Sequence, residues 1–193
     1  MTYKIRRLFL VCISATLMSL AASAQTTPAT QGMQGTMNDR SVDRIIREVH
    51  HELVMLPFYG VFDNLSYSVA PDGTVTLMGQ VARPTLKSDA ENVVKKIEGV
   101  NRVINNIEVL PTSPMDDRIR LAVYRAIFGN EALNQYQMRA VPPIHIIVNN
   151  GRVTLEGVVA RAMDKQIAGV QANSVPGVFS VTNNLKVEED EKK

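Results

Sequence analysis

Three histidines and a few paired acids are the side chains of this 193-residue chain with the means to do chemistry, and their spacing argues against it. His50 and His51 are adjacent, so on a helix they point about 100° apart and cannot grip one ion together. His145 lies far along the chain in a stretch of strand alternation. Zinc sites take three or four converging ligands, and no set of residues here is spaced to supply them. Glu48 and Glu52 read as charges on a helix surface, Asp116 and Asp117 as charges at a helix start. No serine, histidine and acid arrangement appears, and no phosphate-cradling G-x-x-x-x-G-K-S/T loop. These residues point away from an enzyme and away from a metal or cofactor.

The spacing that does suggest chemistry is one of binding. From Met115 to Phe128 the residues Ile119, Ala122, Val123, Ala126 and Ile127 form the core stripe of a helix. Leu121, Tyr124 and Phe128 form a second apolar stripe on nearly the opposite face, with Arg118 and Arg125 on one flank and Arg120 on the other. Aromatic and aliphatic side chains rimmed by arginine suit the boundary of an anionic bilayer. The alternative is that the stripe is covered, by the first half of the chain or by the loop that carries Leu133, Tyr136, Met138 and Val141. The helix from Ala162 to Ser174 shows a similar excess in Met163, Ile167 and Val170, which makes these two helix faces the candidate contact between halves. The corresponding helix of the first half offers Arg44, Arg47, Glu48 and His51 outside its core stripe, all polar.

The elements that must position these residues come as a duplicated unit. Sliding the chain by 78 residues lays Gly73 to Val109 on Gly151 to Val187 without a gap, with 16 of 37 positions identical. Such self-similarity marks a structural repeat. The shared residues are mostly glycines and alternating apolar residues, the types that backbone geometry and a half-buried strand demand.

In the first copy a helix over Asp39 to Leu56, capped by Ser41 or Asp39, precedes a strand with Leu65, Tyr67 and Val69 on one face. Pro71-Asp72-Gly73 is turn chemistry, and Val75, Leu77, Gly79 and Val81 share a face of the next strand. Pro84 suits the first turn of a helix that Gly99 ends, and Val103, Ile107 and Val109 make a third strand. The second copy repeats this order after a linker over 111–114. The expected fold class is therefore α+β: two small domains, 39–110 and 115–187, each helix-strand-strand-helix-strand, with a three-stranded mixed sheet packed by two helices.

Lys4, Arg6 and Arg7, the apolar run Leu8 to Leu20 and Ala22-Ser23-Ala24 read as a secretory signal over 1–24, cleaved before Gln25. Cys12 follows Phe9-Leu10-Val11, without the small residue that precedes a lipidated cysteine, so a soluble exported chain is expected. Cleavage removes the only cysteine and with it any disulfide or thiolate site. Removing three basic residues from 21 leaves 18 against 19 acidic ones, a net charge of −1, which gives no support to nucleic-acid binding. Residues 25–38, without periodicity, read as a flexible leader, and 188–193 as a charged tail.

V-N-N-G-R-V-T-L-E-G-V-V (Val148 to Val159) and V-P-G-V-F-S-V-T-N-N-L-K-V (Val175 to Val187) resemble the BON domain of osmotically inducible and nodulation proteins. V-A-P-D-G-T-V-T-L-M-G-Q-V (Val69 to Val81) and E-G-V-N-R-V-I-N-N-I-E-V (Glu98 to Val109) resemble it again. The first copy departs from the pattern by an extra turn residue at Ala70-Pro71, the second by its longer loop over 130–142. The resemblance implies a periplasmic, non-enzymatic module that binds anionic phospholipid and supports envelope integrity under osmotic stress. The alternative is a protein-interaction or chaperone-like module that uses the same apolar face on an envelope protein. On either reading Arg118, Arg120, Leu121, Tyr124, Arg125 and Phe128 are the binding residues. Gly73, Gly79, Gly99, Gly151, Gly157 and Gly177 are expected to be structural: Gly73 and Gly151 in hairpin turns of positive φ, Gly79 and Gly157 making room for a helix close on the strand.

Overall fold

The computed structural model describes residues 31–139 and 141–188, the first nine of them by backbone alone. The secretory signal, residues 25–30 of the leader and the tail beyond Glu188 lie outside the described residues, while residues 31–38, expected as flexible, belong to the first helix.

Each half begins with a helix, α1 over Gln31–Val54 and α3 over Pro114–Phe128. Ile45, Val49 and Leu53 of the first and Ile119, Val123 and Ile127 of the second are all buried at matching spacings of four. The start of α3 follows from local chemistry: Ser113 Oγ accepts from the Asp116 N–H at 3.2 Å, and Pro114 occupies the first turn, where its missing N–H costs nothing. α1 departs from expectation, beginning at Gln31 and not near Asp39, so Asp39 and Ser41 fall inside the helix and not at its start. Once the packed end of a helix is nucleated, each further residue gains a hydrogen bond for one pair of fixed dihedrals, so apolar periodicity does not mark where it stops.

After the helix comes an antiparallel hairpin, β1 (Asn64–Val69) on β2 (Thr74–Val81) and β5 (Ile144–Asn149) on β6 (Arg152–Val159). Val69 pairs with Val75, and Val148 with Val153. Gly73 and Gly151 sit at equivalent turns with φ of +79° and +72°, values an L side chain resists. A second helix follows, α2 over Pro84–Val94 and α4 over Ala162–Asn173.

The third strand is broken in two, β3 (Arg102–Asn105) and β4 (Glu108–Val109) in the first half, β7 (Ser180–Asn183) and β8 (Lys186–Val187) in the second. All four pieces run parallel to the hairpin's second strand. The break is the work of one residue type. Asn105 Nδ2 donates to the Lys87 carbonyl at 2.9 Å while its Oδ1 accepts from the Ile107 N–H at 3.2 Å. Asn183 does the same with Lys165 at 2.7 Å and Leu185 at 3.2 Å. A side chain that satisfies the backbone locally interrupts a ladder, and here it also ties the strand to the helix above it.

Both halves are therefore α+β with a mixed sheet and two helices, as the repeat implies. Each has its own apolar core, one around Val49, Leu77 and Leu86, the other around Val123, Ile146 and Leu155.

Candidate functional site

α3 carries the arginine-flanked stripe, and the fold divides it. Leu121 is 48% exposed, while Phe128 is 3% exposed and belongs to the core of its domain. Tyr124 lies between, with its ring centroid 4.8 Å from that of Phe128 and 6.1 Å from that of Phe62 in the first domain. The expectation that Phe128 takes part in binding is corrected by its burial: Leu133, Tyr136, Val61 and Phe62 pack in the same cluster. Both alternative covers thus contribute, the loop after α3 and the first domain.

Arg120 is corrected likewise. It is 6% exposed, donates from its second terminal nitrogen to the Val148 carbonyl at 2.9 Å and pairs with Asp117. Its Nε is buried without a hydrogen-bond partner. This arginine fastens α3 to β5 and has no head group to spare. Asp116 is no surface charge either, because its buried carboxylate accepts from the N–H groups of Asn150 and Gly151 at 2.9 and 2.8 Å and so holds the β5–β6 turn.

Of the six residues expected to bind, Arg118, Leu121 and Arg125 remain outward on α3, three and four residues apart and so along one ridge. Beside it runs the 3-10 turn Asn134–Met138, whose Gln137 Nε2 donates to the Tyr124 hydroxyl at 2.6 Å. Met138 and Arg139, at and just past the end of that turn, are both exposed. Met138, a possible cover on the sequence, is 90% exposed and does not close over the stripe. Arg139 went unread because a single arginine after a loop methionine carries no periodic signal. None of Arg118, Arg125 and Arg139 is in an ion pair among the described residues.

Of the two helix faces that the sequence suggests for the contact between halves, that of α3 takes part, through Tyr124 and Phe128 against Phe62, and that of α4 does not. Met163 and Val170 of α4 are exposed, and α3 meets α4 within the second domain. The segment of residues 57–63, between α1 and β1, makes the contact. The Val61 carbonyl accepts from the Ile146 N–H at 2.7 Å, the Gly60 carbonyl lies 3.3 Å from His145 Nδ1, and Tyr59 stacks on the His145 ring at 5.7 Å. Burial pushes the imidazole of His145 below its usual pKa, against the upward pull of the Gly60 and Asp63 backbone and the nearby Asp63 and Glu156 carboxylates. Burial also drives the Tyr59 hydroxyl up to about 12.

Gly79 and Gly157 have a different reason from the one expected. They take φ of +110° and +117°, and a Cβ there would fall on the carbonyl oxygen of Asn64 or Pro143, across the hairpin and not under a helix. Among the described residues there is no group of three or more His, Cys, Asp or Glu side chains that could hold a metal ion, and no helix is long and apolar enough to cross a membrane.

Comparison with known proteins matches the family described as BON domain to residues 43–111 and again to 116–189. The chain is 25% identical over 177 residues to a protein of Haemophilus influenzae named outer membrane lipoprotein DolP, covering 91% of this chain and 88% of that one. Two structures of CdsD, a structural protein of the type III secretion system of Chlamydia trachomatis, align at a TM-score of 0.27 each. One, its C-terminal domain, shares 13% identity and covers 74% of this chain and 96% of that one; the other shares 15% and covers 77% and 95%.

Proposed function

Since this chain belongs to the BON-domain family in both of its halves, we propose a non-enzymatic role for it in the cell envelope, as an exported module that docks on anionic phospholipid through the α3 ridge. The observation that carries the reading is the ridge itself. Leu121 and Met138 stand out of the surface, and Arg118, Arg125 and Arg139, all exposed, have no ion-pair partner among the described residues. An apolar side chain gains by entering the acyl boundary, and each basic residue near an anionic leaflet contributes about 1 kcal/mol. The relative named an outer membrane lipoprotein supports an envelope setting. Cys12 of this chain, preceded by Val11, favours release after Ala24 over a lipid anchor, so the ridge has to supply the attachment. Docking of this kind would serve envelope integrity, including under osmotic stress.

Co-sedimentation with phosphatidylcholine vesicles, with and without phosphatidylglycerol, tests this. Arg118→Glu with Arg125→Glu should weaken binding to the anionic vesicles roughly tenfold or more, and added salt should weaken the unmodified protein. Leu121→Ser should weaken binding while moving stability by about 0.5 kcal/mol or less, whereas Phe128→Ala should cost about 3–5 kcal/mol. Binding that ignores both salt and the arginines would sink the lipid reading and favour an apolar protein interface on the same ridge.

A further inference from the structure

The two domains differ at one place where their backbones otherwise correspond. In the first domain Glu91 of α2 lies over β3, its Oε2 accepting from Asn105 Nδ2 at 3.0 Å while its Oε1 pairs with Lys95 one turn on. The Asn105 amide is then fully used, since it also holds the Lys87 carbonyl and the Ile107 N–H. Seventy-eight residues on, Asn183 keeps the same two backbone partners. The position of Glu91 is taken by Gly169, and that of Lys95 by Asn173. Among the described residues no group accepts the second N–H of Asn183. A groove of about 700 Å³ lies between α4 and β7, lined by Gln166, Gly169, Val170, Asn173, Val181 and Asn183.

We propose that this groove receives the carboxylate of a glutamate or aspartate carried on an extended segment of a partner protein, in the place that Glu91 fills in the first domain. The first domain shows the chemistry of the occupant: a carboxylate oxygen accepts from the asparagine amide that shapes the third strand. Asn173, standing where Lys95 stands, adds a second donor, and no acidic side chain lines the groove to repel the guest. Val170 and Val181 supply apolar walls. An extended segment fits because β7 ends its sheet in the order β5-β6-β7. A strand laid on such an edge pairs by its backbone and sends alternate side chains to one face. β3 ends the first sheet in the same way, but Glu91 fills the groove there. The groove shares no residue with the α3 ridge, so it stands or falls separately from lipid docking.

The test is side-chain amide NMR on the full chain, with a capped five-residue peptide of threonine and valine around one glutamate as probe. The Asn183 and Asn173 amide signals should shift saturably. The glutamine counterpart should bind roughly tenfold more weakly, the worth of a hydrogen bond to a charged acceptor. Gly169→Glu puts the sister domain's own side chain into the groove and should abolish the response. Its Cβ would meet only the movable Asn183 amide, at 2.9 Å. Asn173→Ala, at an exposed site, should weaken the peptide if Gly169→Glu perturbs the fold. Equal response to the glutamine peptide, or an undiminished response in a folded Gly169→Glu variant, would overturn the proposal. Glutarate binding as tightly as the peptide would overturn the protein partner. A response that emerges only when residues 189–193 are deleted would assign the groove to the chain's own acidic end, with the same consequence.

Discussion

Tyr136 settles two polar groups with one hydroxyl. It donates to Asp164 Oδ2 at 2.7 Å and accepts from the Ala160 N–H at 2.9 Å, while Arg161 closes on the same carboxylate at 3.1 and 3.2 Å. In the first domain the equivalent N–H, that of Ala82, is met by Asp63 at 2.8 Å. The same backbone need is thus met by different residues in the two copies. Tyr136→Phe should cost about 1–3 kcal/mol, because it strands the Ala160 N–H and takes one of the donors from the buried Asp164 carboxylate while keeping the ring in the core; a urea midpoint on the single variant measures it. Neither Tyr136 nor Asp63 was legible as a capping group, since both lie outside the 37 residues that superpose. Phe128 and Arg120 were misread for a related reason. A helical stripe reports which residues share a face, and the covers here, Phe62 and the turn around Tyr136, come from segments without periodicity. Leu121, Arg118 and Arg125 were read correctly as lying off the core stripe, because none of the described residues closes over them.

At the scale of the element, the hairpins explain which part of the pattern could be read. Val75, Leu77 and Val81 alternate and are buried, as are Val153, Leu155 and Val159, so strand identity and facing follow from period two. The break in the third strand could not be read this way, because Asn105 and Asn183 act through helix carbonyls 18 residues back. Gly79 and Gly157 are equally opaque in sequence: a glycine in a strand signals some close approach, but not to what. Gly157→Ala should therefore be costly, about 2 kcal/mol or more, from positive φ together with collision on the Pro143 carbonyl. Gly60→Ala is the matched control, with open space around its Cβ and no positive φ, and should stay within about 0.5 kcal/mol. Thermal melts of the two variants side by side separate backbone strain from the loss of a glycine as such.

For the whole molecule the junction between domains is the titratable part. Docked, the His145 imidazole has a pKa pushed below its ordinary value by burial, whereas a solvated histidine titrates near about 6.5. The separated or unfolded form then takes up the proton first. Stability from this group is full above about pH 6.5, falls as pH drops below it, and levels off beneath the depressed pKa, with a slope of at most about 1.4 kcal/mol per pH unit. Asp63 works oppositely and lower: burial raises its pKa, so its contribution improves as pH falls through that raised value. Urea midpoints between neutral and mildly acid pH should decline, and His145→Phe, which keeps a ring on Tyr59, should flatten that decline. The sequence allowed the first half as a cover for the α3 stripe but not the residues that make the contact, for Tyr59, Val61, Phe62 and His145 are single residues whose meeting depends on how two finished domains abut.

The bond from the Ile146 N–H to the Val61 carbonyl has one more consequence. It lets a piece of one domain serve the margin of the other's sheet, across an interface of a few side chains. Two separate chains meeting over so little surface would part at ordinary dilution. The four residues between β4 and α3, 110–113, instead hold the halves at an effective concentration on the order of millimolar. Duplication within one chain thus turns an encounter that depends on how much protein is present into one that does not.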